Sequence, residues 1–291
     1  CVILSVTTKS FLTVDNFFNI LKQATLVAII AIGQTYVIIA GGIDLSVGYS
    51  MTLCSMILAY SLQAGIPVLA SSVFGIGCSV LVGLVNGILI TTLNIPPFII
   101  TLGMANIVKG IILVMSEGYI CSLSEPLIIN IGQGTVGPVP IMVIILIFLI
   151  VIFAFILSQT VFGNRVKAVG GNELAAELSG IKKNKIRIYV YLLCGLLCGI
   201  AGIIITGRLN GGNPNAAGTY DMDSIAAVVV GGTAMAGGSG SIVGTMLGSL
   251  LMILIRNGLV LLRVNMYWQT VAVGAVIIVV CAIDAMSRRK K

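Results

Sequence analysis

"IMVIILIFLIVIFAFIL" runs from Ile141 to Leu157 without a charged or strongly polar side chain. Roughly 17 to 25 such residues, wound as a helix, cross the hydrocarbon core of a bilayer, where a helix satisfies its own backbone hydrogen bonds. Leu26 to Ile43 is a second uncharged run of the same kind. Over the whole chain 58% of residues are hydrophobic and 9% charged, against roughly a quarter charged in soluble domains. A soluble enzyme is excluded, and the fold class is all-α: one polytopic membrane domain over residues 1–291.

Outward from that stretch, apolar periodicity predicts about ten spans. They are a remnant at Cys1–Val6, then Ala24–Ala40, Val47–Leu62, Val68–Leu93, Phe98–Met115, Ile141–Leu157, Ile186–Gly207, Ser224–Ala236, Ile242–Leu262 and Tyr267–Asp284. "CVILSV" is too short to cross, so the first helix is expected to be truncated here. Of the 16 basic residues, six lie between Arg165 and Arg187 and four form the tail Arg288, Arg289, Lys290 and Lys291. That clustering is the positive-inside signature and places both segments on the cytoplasmic side. Alternation then puts Ser116–Pro140 and Arg208–Asp223 outside, both rich in Gly, Pro, Asn and Ser. Tyr267 and Trp268 open the last span at the outer interface, where an aromatic belt belongs. The net charge of +7 comes with no groove-reading motif, so no nucleic-acid partner is expected.

Chemistry is sparse. Histidine is absent, which removes the commonest general base and metal ligand. No GxxxxGK[ST] loop, HExxH or triad motif occurs, so the chain is not expected to be an enzyme, to bind ATP itself or to carry a cofactor or metal. Seven cysteines, mostly in apolar stretches, imply no disulfide framework; Cys194 and Cys198 in "CGLLCG" read as small-residue helix packing. Glycine pairs Gly83/Gly87, Gly195/Gly199 and Gly244/Gly248 have the same spacing and the same reading.

Two glycine clusters interrupt spans instead of lining them: "AGGIDLSVG", Ala40–Gly48, and "VGGTAMAGGSGS", Val230–Ser241. Broken helices at membrane depth require protein or a wet cavity around them. Asp44 lies in the first break; an acid there faces the protein interior or water. It or Ser46 can cap the helix that follows, and substrate contact is the alternative. Asn86, Asn94 and Asn257 are polar groups in or beside spans, able to bond neighbouring helices or a polar passenger.

Between the basic residues stands "VGGNELAAELSGIKKNKIR", Val169–Arg187. Asn172 suits an N-cap, Glu173 the positive end of the helix dipole, and Gly180 a left-handed stop. These frame a helix of about two turns, with Leu174 and Leu178 on one face and Glu173 and Glu177 on another. So short a helix needs tertiary contact to persist, which points to an element presented on the cytoplasmic surface for another protein to grip.

With these pieces in view, the chain resembles the permease subunits of bacterial ABC importers for ribose and other simple sugars. "GNRVKAVGGNELAAELSGIKKNKIRIYVYLLCGLLCGIAG" is similar to that family's cytoplasmic coupling loop and following span, "GGIDLSVG" to its early signature, and "DSIAAVVVGGTAMAGGSGSIVGT" to its late one. The outer stretch "AAGTYDMDS" departs from the family's pattern. The resemblance implies an inner-membrane pore of two permeases, a second copy or a homologue completing the pair. It also implies cytoplasmic ABC ATPase subunits and an extracytoplasmic solute-binding protein as partners. Gly171, Asn172, Glu173, Leu174, Ala175, Ala176, Glu177, Leu178, Ser179 and Gly180 would then form the ATPase-coupling element. Asp44, Ser46, Asn86, Gly231, Gly232 and Thr233 would border the translocation path or its gate. The binding protein would dock near Asn210, Asn213, Asn215, Tyr220, Asp221 and Asp223. A secondary transporter or channel working without ATP is the rival, with Asp44 as its one ion-coupling group; nucleosides or a furanose signalling molecule are alternative passengers.

Overall fold

The computed structural model describes residue 8 and residues 11–289; the expected span remnant at residues 1–6 lies outside them. The chain is a helical bundle with twelve helices among the described residues. Helix α1 covers Val14–Ile39, α2 Val47–Gln63, α3 Val68–Leu93, α4 Pro97–Ser116, α5 Pro126–Gln133 and α6 Ile141–Gln159. The second half holds α7 (Val161–Gly171), α8 (Glu173–Leu178), α9 (Lys183–Leu209), α10 (Tyr220–Val230), α11 (Ile242–Leu261) and α12 (Met266–Arg289). Four two-residue strands form two small antiparallel pairs, β1 (Cys121–Ser122) with β4 (Gly211–Gly212) and β2 (Thr135–Val136) with β3 (Val139–Pro140).

Among the described residues six helices are long and apolar enough to cross a membrane: α1, α3, α4, α6, α9 and α11. These six do not by themselves establish the expected count of about ten. Helix α2 has 17 residues, at the lower end of the roughly 17 to 25 that cross a bilayer, and α10 has 11, too few to cross. The expected span Ser224–Ala236 stops at Val230, because Gly231 caps the helix and Gly232, at φ +85°, turns the chain into the left-handed region. Helix α1 instead starts ten residues before its expected span, with the Thr13 hydroxyl accepting the Asn16 N–H at 3.3 Å.

Helix α1 is the centre of the bundle, buried almost throughout from Ala24 to Ile39. Tyr36 ties it outward: its hydroxyl donates to the Phe153 carbonyl of α6 at 2.6 Å, and its ring stacks on Phe162 of α7. Thr35 meets Thr245 of α11 through their hydroxyls at 2.7 Å. Helices α3 and α9 cross where each offers glycine to the other's backbone. A Cβ on Gly83 would overlap the Tyr191 carbonyl, and one on Gly195 the Ser79 carbonyl, the close approach expected of small-residue spacing in a membrane. Helices α3, α4 and α6 turn large apolar side chains outward, among them Phe74, Leu81, Ile99, Phe148, Val151 and Phe155. A belt of that kind belongs against lipid.

The bundle has two distinct ends. One gathers the Ala40–Ser46 break, the Asn94–Pro97 connection, α7 with α8, and the Gly231–Ser241 turn. The other gathers residues 63–67, the 117–140 segment and Asn210–Thr219. There β1 pairs with β4, Gln63 donates to the Ser122 carbonyl at 3.0 Å, and Gln133 donates to Asn210 Oδ1 at 2.8 Å. Helix α5 lay within an expected loop; its Gly132 packs so closely on Gly207 of α9 that a Cβ on either would strike backbone.

Candidate functional site

At the basic end, α8 forms where capping chemistry dictates. The Asn172 side chain accepts the Ala175 N–H at 2.9 Å, and after Leu178 the chain turns at Gly180, φ +80°, with Gly180 N–H bonding the Glu177 carbonyl. Ala176 alone of this helix is buried. Glu173 lies 2.8 Å from Lys183 Nζ and 2.7 Å from Arg187 Nη2, and Glu177 lies 3.1 Å from the same lysine. Lys183 beside it, with Arg187, holds the Glu173 carboxyl below the usual glutamate range. Each such half-exposed pair contributes about 0.2–1 kcal/mol. Together they clamp α8 to the first turn of α9.

Both glutamates turn inward to the basic run, and the face left bare is apolar: Leu174 is 68% and Leu178 82% exposed. Neighbouring Gly171, Asn172, Ala175, Ser179 and Gly180 are exposed with them. The Ser179 hydroxyl is used locally, donating to the Ala175 carbonyl.

Helix α7, which leads into α8, rests on both interrupted helices. Gly170 lies against the Ile39 carbonyl at the end of α1, and that carbonyl also accepts the Gly238 N–H at 2.8 Å. Three segments far apart in sequence thus meet at one carbonyl oxygen. A Cβ on Gly170 would overlap both the carbonyl and the Gly238 nitrogen, so glycine is required by the approach itself.

Around the first break the polar residues converge. Asp44 Oδ1 accepts from the Ser46 N–H at 2.8 Å and from its hydroxyl at 2.6 Å; Asn86 Nδ2 donates to the same hydroxyl at 2.9 Å. Gln34 of α1 donates to the Asp44 carbonyl at 3.2 Å, and Thr101 of α4 to that of Ile43 at 3.1 Å. All of Asp44, Ser46, Asn86 and Gln34 are buried. Asp44 thereby organises the turn into α2 as a cap does. Gln34 Oε1 and Asn86 Oδ1 are buried with no hydrogen-bond partner, as is Thr233 Oγ1 in the second break. Gly231 packs against the Gly244 backbone, which fixes the return of α10 into α11.

At the opposite end the six residues named for docking differ in exposure. Asn210, at φ +54°, and Asn215 are exposed, and Asn213 is half-buried, its side chain accepting the Asn215 N–H. Tyr220 and Asp221 are half-buried, while Asp223 is 3% exposed. Asp223 Oδ1 pairs with Arg256 of α11 at 3.0 Å and Oδ2 accepts the Thr219 hydroxyl at 2.9 Å. Arg256 escaped the sequence reading, although a lone arginine five residues from the end of an apolar span is itself a signal. Gln34, Thr35 and Tyr191 were also missed, being ordinary polar residues in helices whose neighbours only the fold reveals.

Known proteins match this chain over nearly its whole length. The family model described as branched-chain amino acid transport system / permease component matches residues 16–281. The ribose import permease protein of Bacillus subtilis is 39% identical over 97% of this chain and 88% of its own length. The D-allose transport system permease protein of Escherichia coli is 33% identical over 97% and 87%, and the fructose import permease protein of Rhizobium meliloti 34% over 93% and 78%. No solved structure matches the chain. With that coverage, and with six helices among the described residues long and apolar enough to cross a membrane, the chain belongs to the branched-chain amino acid transport system / permease component family, as a multi-pass inner-membrane permease.

Proposed function

We propose that the chain is the membrane-spanning subunit of an ATP-driven importer for a monosaccharide-like solute. It is fed by an extracytoplasmic binding protein and paired with a second permease copy or homologue, and a separate cytoplasmic subunit hydrolyses the ATP. The observation that carries this reading is the junction at the basic end. A short helix with two bare leucines is clamped to α9 by Glu173 and Glu177, and the helix before it seats Gly170 on the Ile39 carbonyl and Gly238. Leu174 and Leu178 offer an apolar anchor to an ATPase cleft, and movement of that anchor reaches both breaks directly through packed backbone. The unpartnered oxygens of Gln34, Asn86 and Thr233 give a hydroxylated passenger polar groups near those breaks. Relatives named for ribose, allose and fructose import support a sugar as the passenger class.

Reconstitution tests the reading. Proteoliposomes holding the permease, its ATPase and its binding protein should accumulate a sugar only when all three and ATP are present. Uptake by the permease alone, driven by an ion gradient, overturns it.

A further inference from the structure

Between α1, the end of α9, α10, α11 and α12, at the end opposite the basic cluster, lies a cavity of about 490 Å³. We propose that it is a sugar subsite within the permease itself, a place where a neutral monosaccharide with vicinal hydroxyls rests after leaving the binding protein. The proposal rests on the importer reading above. It reassigns Tyr220 and Asp223 from a docking surface to a cavity wall.

The side chains lining the cavity supply the chemistry. Arg256 is held in place through Nη2 alone, which bonds Asp223 Oδ1 at 3.0 Å and Thr219 Oγ1 at 3.1 Å. Its Nε and Nη1 lie on different edges of the guanidinium and remain to donate singly. Asp223, 3% exposed, has both carboxylate oxygens engaged, by Arg256 and Thr219, so it orients the guanidinium and does not itself need a ligand. Gln23 and Gln269 each donate one Nε2 hydrogen to protein, to Asn19 Oδ1 and the Val264 carbonyl respectively, and each keeps a second N–H. Their Oε1 atoms are left as acceptors beside the cavity. Arg208 adds a second guanidinium and Tyr220 a ring and hydroxyl.

This is a mixed donor and acceptor set around a partly apolar wall that includes Val27 and Ile253. A polyol both donates and accepts at each hydroxyl, so it uses the glutamine acceptors and the guanidinium donors together. A carboxylate or phosphate can use only the donors and leaves the two Oε1 acceptors without a partner. The volume fits the range of small-molecule sites, about 300–1,000 Å³, with room for one pentose or hexose and water.

The test uses the permease in lipid nanodiscs and saturation-transfer NMR with D-ribose, D-allose, D-fructose and D-ribonate as probes, alongside sugar uptake by the reconstituted transporter. The imported sugar should give a signal that falls about tenfold or more in the Gln23→Leu, Gln269→Leu double variant, which removes two neutral hydrogen bonds, and in Arg208→Gln, which removes a charge-assisted one. Thermal midpoints should stay at the wild-type value, because these side chains sit at a cavity edge; Asp223→Asn, which breaks a buried pair, is the variant whose fold is at risk and is not relied on. A signal unchanged in both variants overturns the subsite, as does a stronger signal from D-ribonate than from the neutral sugars. If a sugar is imported but gives no signal, the subsite fails and the importer reading stands. If none of the neutral sugars is imported, the reading beneath the subsite fails as well.

Discussion

Gly170 sits on the Ile39 carbonyl at a distance no other residue could match, since a Cβ there would overlap that oxygen and the Gly238 nitrogen bonded to it. The contact joins α7 to the end of α1 and to the turn between α10 and α11. Replacing Gly170 with Ala should therefore force α7 away from both. Overpacking of this kind costs about 1–3 kcal/mol, which a bundle of this size survives. The expected outcome is a permease that still binds its ATPase and supports ATP hydrolysis while sugar uptake falls severalfold or more. Uptake and hydrolysis both at wild-type levels would show that the junction transmits nothing.

Leu178, 82% exposed beside Leu174 at 68%, makes a sharper prediction about where the ATPase grips. Burying a leucine on association contributes about 1.5–3 kcal/mol, so Leu178→Ala should weaken ATPase binding by about tenfold or more. Glu177→Gln should weaken it far less, because that carboxylate faces Lys183. Titration of the ATPase onto the permease in nanodiscs measures both, and the reverse ranking would make the acidic face the contact.

What the sequence made legible follows from which interactions are local. Helix α8 was readable because its cap, first-turn acid and terminal glycine lie within nine residues, Asn172 to Gly180, and each acts on its nearest neighbours. The family and the membrane class were readable for the same reason: apolar runs and ordered motifs need no tertiary knowledge. The direction in which Glu173 points was not, because Lys183 and Arg187 reach it only after the chain reverses at Gly180. Nor was the burial of Asp223, whose partner Arg256 stands on another helix, 33 residues on. The boundary of the expected span Ser224–Ala236 shifted because backbone conformation ends α10 at Val230, with Gly232 at positive φ just beyond it.

The Glu173 clamp predicts a pH dependence with a defined sign. The folded-state carboxyl titrates below its unfolded value, so its contribution is fully present above the unfolded value, about 4.3. It disappears as pH falls through the lower folded value. Amide-exchange protection factors across α8, measured in nanodiscs, should hold constant from neutral pH to about 5 and decline only below about 4.3. In Glu173→Gln the protection should be lower throughout and show no such step. Glu173→Lys should be worse than Gln, placing a third cation beside Lys183 and Arg187, and a lysine variant with full protection would mean that the ion pairs do not seat this helix.

Asp44 separates a structural from a transport role. Its Oδ1 takes both the N–H and the hydroxyl of Ser46, and Asn86 completes the set. Asp44→Ala strands a buried N–H, a loss of about 1–3 kcal/mol, and should lower the melting midpoint in detergent and the uptake together. Asp44→Asn keeps an acceptor oxygen at the same position and should retain most of both. The informative alternative is a dissociation of the two measurements: an Asn variant that melts like wild type yet imports nothing would mean that the charge, and not the turn it organises, meets the passenger. The geometry argues for the turn, because both of the bonds made by Oδ1 end on Ser46, two residues along the chain.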